Sequence, residues 1–95
     1  MKIAYKHLYE EVEEILFRYD PVGINFGENT DEYDPEVGTI LPRLKEVCSE
    51  ADVHGIVHEE FVRWFGASDA GAKDRQPYKD ASREIWLAWL RFSRE

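Results

Sequence analysis

Asp20-Pro21-Val22-Gly23-Ile24, followed by Asp31-Glu32-Tyr33-Asp34, is the stretch that decides how this chain folds. It divides two helical patterns and is longer than the few residues that usually join neighbouring helices. Pro21 ends the pattern before it, because the residue preceding a proline is pushed out of the α region. Gly23 opens a turn conformation closed to other residues. Val22, Ile24 and Phe26 are apolar enough to tuck beneath a bundle, so the stretch reads as an ordered elbow. Ordered loops of this kind often carry function. The alternative is architecture alone, with Asp20, Pro21, Gly23 and Tyr33 serving to shape the corner.

Working back from the elbow, Ile3 to Tyr19 repeats Leu8, Val12, Ile15, Leu16 and Tyr19 at three- and four-residue steps. Glu10, Glu11, Glu13 and Glu14 fill the intervening positions, which makes one face apolar and the other anionic. Working forward, Thr30 is a candidate N-cap with Asp31 and Glu32 in the first turn. A second start has Asp34 as cap and Pro35 as first helical residue. Tyr33, Val37, Ile40, Leu41, Leu44, Val47 and Cys48 then form an apolar stripe, and Pro42 predicts a bend near Gly38–Pro42.

Ser49 is the candidate cap of a third helix over about Ala51 to Phe65, which buries Val53, Ile56, Val57, Phe61 and Trp64 and closes at Gly66. Ala67 to Gln76 is polar and reads as a mobile loop. A fourth helix runs from about Pro77 to Ser93, with Tyr78, Ala81, Ile85, Ala88, Trp89 and Phe92 on one stripe. No strand-like alternation, repeat or low-complexity tract is present. The expected fold is all-α: a compact antiparallel bundle of four helices in a single domain over residues 1–95.

Charge bounds the function. Of 20 acidic and 12 basic residues, residues 1–62 hold fifteen acids and five bases, a balance of −10, whereas residues 63–95 carry +2. Such a surface disfavours nucleic-acid backbones, which need positive charge to release counterions; solubility is the favoured reading of the surplus, and steering of a basic protein partner is the other. No apolar run approaches the roughly 20 residues that cross a bilayer. No signal-peptide pattern opens the chain, and a single cysteine excludes an internal disulfide. Together these read as a cytoplasmic protein without membrane attachment.

Chemistry-bearing patterns are sparse. His54 and His58 stand four apart on one helix face and are weak candidates for a transition metal. The similarity of His58-Glu59-Glu60-Phe61-Val62 to a zincin motif fails because Val62 stands where the second histidine is required. Ordinary surface histidines are the favoured reading. The carboxylates Glu28, Asp31, Glu32, Asp34 and Glu36 offer hard oxygen ligands, yet lack the spacing and turn glycine of a calcium loop. Cys48 on an apolar stripe reads as an inert hydrophobe and Ser49 as a cap, so neither supports nucleophilic catalysis. No cofactor is expected.

The D-P-x-G and D-E-Y-D motifs and the stripe through Ile40, Leu41 and Leu44 resemble a family of short bacterial proteins of unknown function. Its members read D-P-I-G, a spacer, D-E-Y-D and a helix with spaced Ile and Leu. The resemblance covers about residues 8–65; Pro35 directly after D-E-Y-D departs from the pattern. It implies fold and compact size more than activity. An immunity-type role against a bacterial toxin is an association that such small acidic proteins carry.

The leading expectation is therefore a non-enzymatic protein-interaction module. Glu28, Asp31, Glu32, Asp34 and Glu36 form its acidic ridge, and Trp86 is a candidate contact. The alternatives are a metal- or ligand-responsive module built on His54 and His58, and a homodimer through the fourth helix.

Overall fold

A computed structural model describes residues 3–23 and 33–94, with the side chains of residues 3 and 4 outside that description. Among the described residues four α-helices follow one another: α1 (Ile3–Tyr19), α2 (Asp34–Ile40), α3 (Glu50–Ala70) and α4 (Gln76–Ser93). A six-residue 3-10 segment, Leu41–Glu46, continues α2. The fold is an all-α bundle, with α1 and α3 both packed on α4. Tyr5 meets Phe92, Glu11 pairs with Arg91 and Arg18 pairs with Glu84. Rising numbers on α1 face falling numbers on α4, so the two helices run antiparallel.

The expected stripes form the core. Leu8, Val12, Ile15 and Leu16 of α1 meet Tyr78, Ala81, Ile85 and Ala88 of α4, and Val53, Ile56, Val57 and Phe61 complete the interior from α3. Tyr33, Val37, Ile40, Leu41 and Leu44 are buried as well. Phe61 stands at the aromatic centre, 5.5 Å from the Tyr33 ring and 5.6 Å from Tyr78.

Helix boundaries follow local chemistry. α1 ends at Tyr19; Asp20 adopts a left-handed φ of 49° while its N–H still bonds the Leu16 carbonyl at 2.8 Å. The Gly23 N–H then returns to the Asp20 carbonyl at 3.1 Å, closing a turn with Pro21 in its second position. Ser49 caps α3 as expected: its side chain accepts the Asp52 N–H at 3.2 Å. The Asp52 carboxylate reaches back to the Cys48 N–H at 2.8 Å, a reciprocal arrangement akin to a capping box.

Four expectations need correction. Helix two does not continue as one α-helix with a bend: because Pro42 has no N–H for the Gly38 carbonyl, the chain tightens into the 3-10 segment from Leu41 onward. Of the two starts weighed for α2, the Thr30 cap lies outside the described residues. Asp34 and Pro35 are instead the first two helical residues, with Tyr33 in the cap position. Cys48 lies beyond the 3-10 segment and is exposed, off the apolar stripe. Gly66, with φ 84° and ψ 157°, breaks α3 as a closing glycine should, but a further turn runs on to Ala70.

Candidate functional site

Two corners of the bundle gather the residues that the sequence singles out. At the first, the elbow after α1 meets the loop before α4. Tyr33 is fully buried and donates its hydroxyl to Asp20 Oδ1 at 2.6 Å, tying the two motifs of the elbow together. Pro21 is buried, Val22 is half-buried against the core and Gly23 carries φ 73°. The Arg75 guanidinium donates to the Pro21 carbonyl at 2.7 Å and lies over the Tyr78 ring. Ile24, Phe26, Glu28, Asp31 and Glu32 lie outside the described residues.

The loop on the other side of this corner is held rather than loose. His54 Nε2 donates to the Lys73 carbonyl at 2.7 Å, and His58 Nε2 donates to the Gly71 carbonyl at 2.8 Å. Tyr78 donates to the Ala70 carbonyl at 2.5 Å and meets His58 edge-on at 5.2 Å. A helix spacing of four puts both imidazoles on one side of α3, and each takes one loop carbonyl. The His54–His58 pair thus anchors residues 71–73. Among the described residues, no group of three or more metal-ligating side chains forms.

At the second corner α2 lies along α3. Asp34 is exposed and accepts the Tyr9 hydroxyl at 2.6 Å; burial together with this carboxylate raises the Tyr9 phenol well above its ordinary range. Glu36 does not stand on a ridge beside it: it is only 4% exposed and its Oε1 has no hydrogen-bond partner. Burial, and secondarily Asp34, pushes its carboxyl above the ordinary value. Of the five acids in the expected ridge, Asp34 alone is both described and exposed.

Trp64 was expected in the core but is 46% exposed. Its indole N–H donates to Thr39 Oγ1 at 3.1 Å, so the ring is fixed against α2 while much of it faces solvent. The exposed positions of α2 are Asp34, Pro35 and Gly38. Trp86, the expected contact, is half-buried against the core, whereas its neighbour Leu87 is 48% exposed.

No protein-family model, curated protein or solved structure matches this chain.

Below the Trp64 surface, Arg43 of the 3-10 segment reaches two adjacent glutamates of α3. It meets Glu60 Oε2 and Glu59 Oε1, each at 2.8 Å. Glu59 is exposed and held below the ordinary carboxylate range by that guanidinium, whereas Glu60 is buried. On the opposite side, Glu84 of α4 receives both Arg18 and the Tyr19 hydroxyl. The Tyr19 bond first, and Arg18 second, hold the Glu84 carboxyl low. Both clusters tie one helical element to another. At the second corner the described residues thus present a fixed, half-exposed indole at Trp64 and an exposed carboxylate at Asp34.

Proposed function

We propose that this chain is a non-enzymatic protein-interaction module whose partner is basic. The observation that carries the reading is Trp64, nearly half exposed yet fixed by Thr39. Tryptophan is over-represented among residues that dominate binding energy, and a ring already held in place loses little freedom when a partner covers it. A net charge of −8 would draw a basic partner toward the surface. Asp34, at the exposed start of α2, would be the carboxylate placed to meet it.

The test is capture of partners on the immobilised chain, washed at low and high salt and identified by mass spectrometry. A basic protein should be retained at low salt and lost at high salt. Trp64→Ala should weaken its binding by at least about tenfold, the loss that marks a principal contact, without changing the helical circular dichroism. Equal retention by Trp64→Ala, or a partner whose binding ignores salt, removes the proposal.

A second reading, a homodimer through α4, draws on Leu87, whose large apolar side chain faces solvent beside half-buried Trp86. Light scattering across protein concentration distinguishes it. A dimer mass that Leu87→Lys returns to the monomer supports this reading; a monomer mass throughout discards it.

A further inference from the structure

A third surface feature belongs to neither corner. Between the first turns of α1, the 3-10 segment and the last turns of α4 lies a cleft of about 280 Å³, lined by Tyr5, Leu41, Pro42, Lys45, Trp89 and Phe92. Its origin is the proline. Pro42 forces the 3-10 geometry, in which side chains three apart eclipse one another, so Lys45 is carried onto the same side as Pro42. α4 supplies the facing wall: Trp89 and Phe92 lie with ring centres 5.5 Å apart and planes tilted by 34°. Tyr5 closes the end, edge-on to Phe92 at 6.2 Å.

The charge of the cleft runs against that of the molecule. In a chain of net charge −8, no carboxylate lines it among the described residues, and Lys45 is the one charged residue among them. Five of the described arginines form ion pairs, whereas none of the described lysines does. Lys45 is exposed and, among the described residues, forms none. The contrast with the neighbouring cleft is direct, since that one is lined by Glu46, Asp52 and Glu59 together with Lys73. Apolar rings with one convergent charged group are the usual makeup of a small-molecule site. The volume falls just under the usual range of about 300–1,000 Å³, which limits the occupant to one ring with a short tail.

We propose that this cleft binds a small arylalkanoate, its ring against Trp89 and Phe92 and its carboxylate on the Lys45 ammonium. A planar apolar body suits the ring faces and edges on offer, and a single negative charge answers the unpaired lysine. The site is independent of the Trp64 surface, so each can fail without the other.

The full-length chain, labelled with nitrogen-15, is titrated with 3-phenylpropionate while the three indole N–H signals are followed. The Trp89 signal should move saturably, with a Kd in the millimolar range typical of so small a ligand, and the Trp64 signal should stay in place. The uncharged 3-phenylpropanamide should bind at least about fivefold more weakly, the value of one partly exposed ion pair. Lys45→Gln, at an exposed position that the fold does not need, should reduce the acid to the affinity of the amide and leave the amide unchanged. An unmoved Trp89 signal overturns the proposal, as does equal affinity for acid and amide or an acid affinity indifferent to Lys45→Gln. Proportional movement of all three indoles would mean general adsorption and also overturns it. So would a Trp89 signal that tracks protein concentration instead of ligand, because a second copy would then occupy the cleft.

Discussion

Arg43→Ala is expected to destabilise the fold by about 3 kcal/mol, because it leaves a buried carboxylate without its main counter-charge. Glu60 is 2% exposed and takes one arm of the Arg43 guanidinium at 2.8 Å; Glu59, 65% exposed, takes the other. The two contacts differ in worth. An exposed pair such as Arg43–Glu59 contributes about 0–1 kcal/mol, so nearly all the loss comes from Glu60. Arg63 stands 3.2 Å from Glu60 Oε1, but at 71% exposed it is itself well solvated and compensates only in part. That keeps the expected cost at the lower end of the roughly 3–5 kcal/mol seen when one partner of a buried pair is removed. Urea denaturation of the two single variants and of Arg43→Ala/Glu60→Met gives the coupling directly. The double variant should recover most of the loss, since a methionine in the Glu60 position needs no counter-charge. A cost under about 1 kcal/mol for Arg43→Ala would mean that water reaches Glu60 in solution and that the pair does not hold the 3-10 segment to α3.

Much of the bundle is legible from residues a few positions apart. α1 ends where Asp20 precedes Pro21, α3 begins where Ser49 can accept the Asp52 N–H, and Gly66 interrupts α3 where a non-helical φ is required. These are local events, and local chemistry decides them. The apolar stripes are legible for the same reason, because helical periodicity is a property of the chain and not of its neighbours.

Residues whose fate depends on a distant neighbour are not legible in this way. Trp64 shares the stripe of Val53, Val57 and Phe61, but periodicity names a face without naming what covers it. What meets the indole there is the Thr39 hydroxyl. His54 and His58 present a metal-like spacing, yet their ring nitrogens take the carbonyls of Lys73 and Gly71, partners thirteen to nineteen residues away that no motif announces. The cleft beside Lys45 depends on three separate elements. One signal for it was present, since Pro42 inside an apolar helix implies a departure from α geometry; the segment tightened instead of simply bending.

Glu36 departs furthest from expectation, and its consequence is measurable. A glutamate in a run of acids beside a helix start reads as surface, but the third residue of α2 faces inward beside Val37. One of its oxygens is left without a partner. The unfolded chain hydrates that carboxylate freely, whereas the folded chain does not, so burial raises the folded-state value above the ordinary 4.5. The folded protein therefore takes the proton more readily than the unfolded one. The resulting contribution to stability is full below the unfolded value and is lost as pH rises through the folded one. At neutral pH wild type bears a cost for burying the group, offset in part by the Glu36 backbone N–H at the start of the helix. Glu36→Met keeps the length of the side chain and removes the charge, and should stabilise the fold by about 2 kcal/mol at pH 7. The gain should shrink as pH falls through the ordinary value of 4.5, below which the glutamate becomes neutral in both states. Urea midpoints of wild type and variant across that range provide the measurement. A difference that stays constant with pH would assign the gain to packing alone; a loss of stability at pH 7 would show that the buried carboxylate has a partner in solution.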